Sequence, residues 1–254
     1  MAPSLFVAHG SPMIAIQDNE YTKFLQNIGK QIQPKAIVIF TAHWEREVLT
    51  ISSIEGEYET IHDFYGFPEE LFQVQYPAKG SKEVAALVQQ RLEEHGISTT
   101  IDTKRGLDHG SWSVLKHLYP DANIPVVQIS VHPFLPPKEQ YRIGEALRGL
   151  GEEDILIVGS GATVHNLRLL KWGQQTPEPW AVEFDDWLIE HVQKKDLAAL
   201  FRYEELAPHA SMAIPRPEHF VPLFIAMGSG TMDKPQLLFR AYEYGTLSYV
   251  CFQF

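Results

Sequence analysis

Short apolar runs alternate along the chain with segments of helical periodicity. The apolar runs are rich in Val and Ile and nearly continuous, which is typical of strands that are covered on both faces. We predict five such strands, at residues 5–9, 36–43, 48–54, 125–132 and 155–160. We predict helices at residues 81–95, 138–150, 180–194 and 217–227. The helix over 81–95 is the clearest, because its apolar residues form one stripe and Gly96 follows it.

This alternation favours an α/β fold, a single domain over residues 1–254. We expect a central, mostly parallel sheet flanked by helices. The last segment, 237–254, predicts two strands with a turn near Gly245, which would add antiparallel strands at one edge of the sheet. In such sheets ligands bind outside the carboxyl ends of the strands.

Composition and charge narrow the function classes. The formal net charge of −11 argues against a protein that binds nucleic acid through its phosphates. No apolar stretch reaches the ~18 residues of a membrane span, so we expect no membrane partner. The run at 5–9 lacks the basic residues of a signal peptide. The single cysteine, Cys251, excludes an intrachain disulfide and fits residence in the cytoplasm; we expect it to be a buried, inert thiol.

Histidines mark the strand ends. There are 11 in the chain. His9 and His43 end the first and second predicted strands, and His165 follows the strand at 155–160 after a glycine-bearing turn. Glu218 and His219 stand at the start of the predicted helix at 217–227. These positions coincide with the edge of the sheet where an α/β fold binds its ligands.

The clustering predicts a metal-dependent enzyme. A catalytic metal site needs about three protein ligands and an open position, and imidazole suits Fe, Zn, Cu and Ni. His9, His43 and one of the pair Glu218 and His219 could supply the three ligands. His109 and His165 could then transfer protons, because histidine titrates near neutral pH.

Other motifs, connections and histidines give weaker evidence of function. There is no dinucleotide fingerprint, no Walker A motif and no nucleophile elbow. Two long connections, 55–80 and 103–112, could be functional loops, and the first is rich in aromatic residues. Of the remaining histidines, we expect His132 to be structural and His209 to lie in a loop without a partner. We expect three others to be solvated on helices: His95, His117 and His191.

Six short motifs, taken together and in order, carry a family resemblance over nearly the whole chain. The chain resembles the class III extradiol ring-cleavage dioxygenases, the superfamily of the protocatechuate 4,5-dioxygenase catalytic subunit, and within it the DOPA-dioxygenase-like branch of plants and bacteria. The motifs are His9-Gly10-Ser11-Pro12-Met13, Ala42-His43-Trp44, Ile61-His62-Asp63-Phe64, Gly106-Leu107-Asp108-His109-Gly110, Val164-His165-Asn166-Leu167 and Pro217-Glu218-His219.

The resemblance implies an enzyme that holds Fe(II), binds a catechol, activates O₂ and opens the ring beside the diol. It implies that His9 and His43 are metal ligands, that His165 is an acid/base, and that His109 lies near substrate and oxygen. It favours His219 over Glu218 as the third ligand. It also implies that isolated protein can carry Zn(II), with His165 as a fourth ligand when no substrate is bound.

Our leading hypothesis is therefore an Fe(II)-dependent dioxygenase that acts on DOPA or a related catechol. We expect His62, Phe64 and Trp44 to contact the substrate. Two rival hypotheses are a zinc hydrolase on the same fold and a binding scaffold that has lost turnover. The scaffold has no need of His109 and His165. The sequence leaves the natural catechol, the position of cleavage, the metal held in the cell and the oligomeric state open.

Overall fold

The computed structural model describes all 254 residues and centres on one eight-stranded sheet. Ten strands, which we number in chain order, are β1 Ser4–Ala8, β2 Ala36–Glu45, β3 Leu49–Ser52, β4 Thr99–Asp102, β5 Val126–Val131, β6 Ile155–Gly161, β7 Gln236–Phe239, β8 Tyr242–Glu243, β9 Leu247–Ser248 and β10 Cys251–Gln253. Their order across the large sheet is β4-β3-β5-β2-β6-β1-β10-β7, and β8 and β9 form a separate hairpin.

Ten α-helices connect and cover the strands. They are α1 Glu20–Gln31, α2 Glu69–Phe72, α3 Lys82–Glu94, α4 His109–Leu118, α5 Pro137–Ala146, α6 Pro179–Gln193, α7 Leu197–Leu200, α8 Tyr203–Leu206, α9 Ala210–Ala213 and α10 Val221–Ser229. Four short 3-10 helices lie at Pro12–Ile16, Leu150–Glu153, Leu167–Leu169 and Pro217–His219. No helix in the fold has both the length and the apolar character that crossing a membrane would require.

The sheet confirms the predicted α/β class. The central strands β5, β2, β6 and β1 run parallel to one another, and β7 and β10 add antiparallel strands at one edge. One feature was not predicted: β3 runs antiparallel to β5, so the β3–β4 pair at the other edge runs against the central strands. The short connection after Glu45 reverses the chain and carries it past β5.

Both faces of the central strands are buried, as their continuous apolar character predicts. In β2, Ile37 and Ile39 pack in a core with helices α1 and α4. Val38 and Phe40 pack in a second core with helices α3, α5 and α10. This alternation follows the two-residue period of a strand. Cys251 is fully buried in the first core, as predicted, and lies 3.5 Å from the Tyr21 hydroxyl.

The predicted helices at 81–95, 138–150 and 180–194 correspond to α3, α5 and α6. The predicted helix at 217–227 begins with a 3-10 turn and becomes α-helical only from Val221. The predicted final two strands are four short ones, because Tyr244 and Gly245 adopt left-handed conformations that break the chain into a hairpin.

Several elements were missed: the four-residue helices α2, α7, α8 and α9, and also α4, α1 and β4. The connection at 103–112 is not a loop throughout, because α4 begins at His109. Its first turns contain Gly110, Ser111 and Ser113, which are weak helix formers, and nearly all of its residues are buried, so no amphipathic period reveals it. Helix α1 has a capping box between Asn19 and Thr22 that could have revealed it. Strand β4 is a partly exposed edge strand without a clear apolar run.

A glycine lets the backbone of the 217–219 turn approach the end of β6. The Ala162 amide donates a hydrogen bond of 2.8 Å to the His219 carbonyl. A Cβ placed on Gly161 would lie 2.0 Å from that same carbonyl oxygen, closer than any side chain could. Gly161 therefore sets the position of His219 relative to the carboxyl end of the sheet.

We predict that Gly161→Ala destabilises the fold by about 1–3 kcal/mol, because the new methyl group must displace buried backbone. Gly56→Ala is the matched control, since a Cβ there meets no atom within 4 Å. It should change stability by less than about 0.5 kcal/mol. Urea denaturation of both variants measures the difference. Equal midpoints for the two variants would contradict the close approach at Gly161.

Candidate active site

Three histidines from distant parts of the chain meet at the carboxyl ends of β1, β2 and β6. His9 follows β1, His43 lies near the end of β2, and His219 ends the 3-10 turn that packs on β6. The Nε2 atom of His43 lies 3.0 Å from Nε2 of His9 and 3.2 Å from Nε2 of His219. His9 is 1% exposed and His219 is 6% exposed, whereas the His43 side chain is 22% exposed, so the cluster is shielded from water except at His43.

The outer nitrogen of each ring faces a polar group. The Ser160 hydroxyl donates to the Gly110 carbonyl, so it accepts from His9 Nδ1–H at 3.0 Å. Glu218 Oε1 accepts from His219 Nδ1–H at 3.0 Å. Asp63 Oδ2 lies 3.4 Å from Nδ1 of His43. Because a neutral imidazole carries one proton, these partners leave the Nε2 lone pairs directed at one another.

This arrangement fits a bound cation. Lone pairs on adjacent nitrogens repel, and no proton is available to bridge all three of them. Separations of 3.0 and 3.2 Å suit nitrogens that share one ion at about 2.0–2.1 Å. Polar partners on the outer nitrogens are the usual support of metal-binding histidines. The set of His9, His43 and His219 can therefore hold a metal, and it leaves coordination positions open.

The electrostatics keep these rings neutral. Burial is the largest cause that lowers the pKa of His9, followed by the neighbouring His43. Burial, followed by His109, lowers the pKa of His43 to about 3. Burial, followed by His165, holds the pKa of His219 well below its ordinary value. Metal binding requires neutral imidazole, so the cluster is in its binding form at neutral pH.

His165 lies beside the cluster, stacked on one of its members. Its ring is parallel to that of His219, with centroids 3.6 Å apart and planes inclined by 11°. Burial, followed by His109, lowers the pKa of His165 to about 4. The His165 backbone amide donates to the Ala213 carbonyl, which fixes the turn that carries it. His165 is thus adjacent to the third histidine and is not part of the closest set of facing nitrogens.

His109 is the first residue of α4 and also lies against the cluster. Its ring centroid is 3.9 Å from that of His43 and 5.6 Å from that of His9. Asp63 Oδ1 accepts from His109 Nδ1–H at 2.8 Å and from the His109 backbone amide at 3.0 Å. Burial would raise the pKa of Asp63, but hydrogen bonds and charge from His109 and His43 prevail and lower it to about 2.

A polar network braces His43 from the opposite side. The Thr41 hydroxyl accepts from the His43 amide and donates to Asp108 at 2.7 Å. Arg105 donates to Asp108 and to the His43 carbonyl. The guanidinium of Arg105 lies 5.0 Å from the ring centre of Trp44, which is 1% exposed. Adjacent strand residues point to opposite faces, so the structure does not bring the Trp44 side chain to the histidine cluster.

The aromatic connection at 55–80 reaches the cluster through Phe64. The Phe64 ring is 5.6 Å from that of His109, and it also contacts Phe67 and Phe72. His62 packs edge-on against Phe64 and is hydrogen-bonded to the Val74 carbonyl at 3.0 Å. Phe64 therefore borders the site directly, whereas His62 supports it from behind.

The remaining histidines lie outside the site. His95 is exposed, as predicted, and His191 is partly exposed. The prediction for His117 was wrong, because it is buried and hydrogen-bonded to the Ile14 carbonyl. His209 has a partner that was not predicted, Glu183, at 2.8 Å. His132 lies at the end of β5 with a buried Nδ1 that has no hydrogen-bond partner.

Comparison with known proteins identifies the family. A family model described as the catalytic LigB subunit of aromatic ring-opening dioxygenase matches residues 3–252. The chain belongs to this LigB family of extradiol dioxygenases. A protein named 4,5-DOPA dioxygenase extradiol from Beta vulgaris is 39% identical, with 99% of this chain and 96% of that protein covered. One of the same name from Escherichia coli (strain K12) is 38% identical, with 99% and 94% covered.

A solved structure shares the fold over the whole length of the chain. The crystal structure of an uncharacterized Escherichia coli K12 protein aligns with a TM-score of 0.85 at 32% identity and covers 100% of this chain and 99% of its own. This LigB protein is accordingly a ring-opening dioxygenase, as the resemblance implied. Two supporting residues of its site were missed from the sequence. The only sequence signal of Ser160 is that it is a polar residue within an apolar run. The only signal of Asp63 is that it belongs to one of the six motifs.

We predict that His219→Ala abolishes tight metal binding in this LigB protein, whereas Glu218→Gln weakens it by about 10–100-fold. His219 presents a nitrogen to the cluster, while Glu218 contacts only the outer nitrogen of His219. Competition with a chromogenic chelator measures both affinities, and exposed His95→Ala is the control. Abolished binding in Glu218→Gln with full binding in His219→Ala would mean that Glu218 is the ligand.

Proposed function

We propose that the protein is an Fe(II)-dependent extradiol dioxygenase that opens the ring of DOPA or a related catechol with O₂. Family membership supports the reaction class, and the names of the Beta vulgaris and Escherichia coli relatives support a DOPA-like substrate. The observation that carries the proposal is the inward-facing set of three Nε2 atoms with polar groups at the outer nitrogens. We expect the enzyme to act in the cytoplasm.

His9, His43 and His219 would hold the metal. A ferrous ion in this position would lower the pKa of the diol and supply the redox chemistry with O₂. The three imidazoles are neutral ligands, so the site keeps the full charge of the ion for an anionic substrate. An all-imidazole set also suits Zn(II), and we expect isolated protein to carry zinc in part. Zinc has no redox chemistry and would give an inactive form.

His165 would act as the acid/base. Its ring lies against that of His219, and burial favours its neutral form, which can accept a proton. A catechol bound at the metal must lose its hydroxyl protons, and a base next to a ligand is placed to receive one. In the absence of substrate, the same nitrogen could serve as a fourth ligand, because His165 and His219 offer ligand atoms within 4.8 Å of each other.

His109 and the aromatic residues would bind the ring and the oxygen. His109 lies against the His43 ring, with its Nε2 free of protein hydrogen bonds. Phe64 would form the wall that covers the flat face of the catechol, with His62 behind it. Trp44 would act on the site only indirectly: its ring lies 5.0 Å from the Arg105 guanidinium, which donates to Asp108 and to the His43 carbonyl.

We predict that the iron-loaded protein consumes one O₂ for each catechol that it opens and forms a yellow semialdehyde. For each member of a catechol panel that includes DOPA, an oxygen electrode measures the oxygen consumed and visible absorbance measures the semialdehyde formed. Zinc-loaded protein is the control and should be inactive. Turnover of esters or amides by zinc-loaded protein, without oxygen uptake on any catechol, would support the hydrolase instead.

We predict that His165→Ala keeps most of its Fe(II) and still binds catechol, but loses turnover by about 10²–10⁴-fold, the usual contribution of a positioned acid/base. Iron content, anaerobic catechol binding and steady-state rate are measured on one preparation. Asn166→Ala, at the next residue, is a control for the turn. Loss of iron in proportion to loss of rate would mean that His165 is an obligate ligand.

A further inference from the structure

Asp63 occupies a position that the reaction outlined above does not use. Its carboxylate lies between His109, which donates two hydrogen bonds to Oδ1, and His43, whose Nδ1 is 3.4 Å from Oδ2. The Asp63 side chain is 24% exposed, whereas that of His109 is 6% exposed. A partly exposed carboxylate on a connecting segment thus fixes the ring of a buried residue at the site.

The segment that carries Asp63 is anchored to the start of α4. The Ile61 amide donates to the Leu107 carbonyl at 2.8 Å, and the Leu107 amide donates to the Glu59 carbonyl at 2.9 Å. The Trp112 indole donates to the Ile61 carbonyl at 2.8 Å. These contacts hold Asp63 in register with His109, so the two hydrogen bonds to Oδ1 have a fixed geometry.

The hydrogen bonds determine which nitrogen of His109 is available. An ionised carboxylate only accepts, so the proton between the two groups belongs to Nδ1 of His109. The backbone amide of His109 donates to the same oxygen and so fixes the carboxylate relative to the start of α4. Phe64 packs edge-on against the ring from the same segment. Only Nε2 is then left for chemistry.

We propose that Asp63 is a positioning residue that keeps Nδ1 of His109 protonated and holds the ring so that its Nε2 serves the substrate and oxygen site. The expected effect of Asp63 on turnover rests on the proposed function, whereas its expected effect on the His109 ring does not. The aromatic segment at 55–80 would then have two roles. Its residue Asp63 would orient His109, and the neighbouring residues Phe64 and His62 would form the wall of the substrate site.

A role of Asp63 as a metal ligand fits the contacts less well. Asp63, His43 and His109 do offer three ligand atoms within 4.8 Å of one another. However, Oδ1 is already engaged by two hydrogen-bond donors of His109, one of them a backbone amide that cannot give up its proton. The contact to His43 is a single, longer one of 3.4 Å.

A double-mutant cycle tests the pairing. Asp63→Ala should lower kcat by about 10–100-fold, a part of the 10²–10⁴-fold that a positioned proton-transfer group contributes, with a change in KM below about 3-fold and with metal bound at saturating metal concentration. Asp63→Asn keeps an acceptor oxygen and should recover most of the loss. In a His109→Ala background, Asp63→Ala should cost less than about 2-fold more. Glu59→Gln, an exposed carboxylate of the same segment without a side-chain partner, should match the unsubstituted protein.

Nitrogen NMR of ¹⁵N-histidine-labelled protein gives a readout that does not depend on turnover. The His109 signals, identified by their loss in His109→Ala, should show a protonated Nδ1 in the unsubstituted protein and in Asp63→Asn, but not in Asp63→Ala. Three results would each overturn the inference. The first is unchanged His109 signals in Asp63→Ala. The second is that the fold-losses of Asp63→Ala and His109→Ala multiply in the double variant, as they do for independent residues, and the third is loss of metal in proportion to the loss of rate. Inactivity of the unsubstituted protein on every catechol, with the NMR result as expected, would instead count against the proposed function alone.

Discussion

The site depends on one constraint: the outer nitrogens of three buried imidazoles are directed at polar groups, so their inner nitrogens must face one another. Ser160 and Glu218 hydrogen-bond to His9 and His219, and Asp63 lies near His43. Burial makes protonation of these rings costly, so a proton cannot relieve the mutual repulsion of their lone pairs at neutral pH. A divalent cation bound between the three nitrogens would relieve this repulsion. The fold is therefore arranged for metal binding before any metal is bound.

The sheet satisfies this constraint by bringing strand ends together. Strands β1, β6 and β2 are neighbours and run parallel, so His9, Ser160 and His43 emerge at the same edge. The third histidine comes from a turn more than fifty residues further along, and glycine at position 161 lets its backbone approach β6. His109, at the start of a helix, lies against His43, and His165, after a strand, lies against His219. Under the proposed function, metal binding and proton transfer would fall to residues of different backbone elements.

Much of this could be predicted because apolar runs and their end points are local properties. The runs that end at His9 and His43 gave both the strands and two ligand candidates, and the motifs gave the family. The spacing of the residues left Glu218 and His219 open as the third ligand, because the two are adjacent and only the direction of each side chain distinguishes them, and only the family resemblance favoured His219. Helix α4 escaped prediction because it is buried on almost every side, so His109 appeared to lie in a loop. The position of Asp63 depends on pairing between segments more than forty residues apart, which no local pattern encodes.

The most direct test of the account is a crystal structure of the metal-loaded protein with anomalous data collected at the absorption edge of the metal. We expect one strong anomalous peak that is bound by Nε2 of His9, His43 and His219 at about 2.0–2.2 Å. We also expect the outer nitrogens of His9 and His219 to keep their contacts with Ser160 and Glu218. A peak bound through Nδ1 atoms, or one held by Glu218 or Asp63 with these imidazoles turned away, would contradict it.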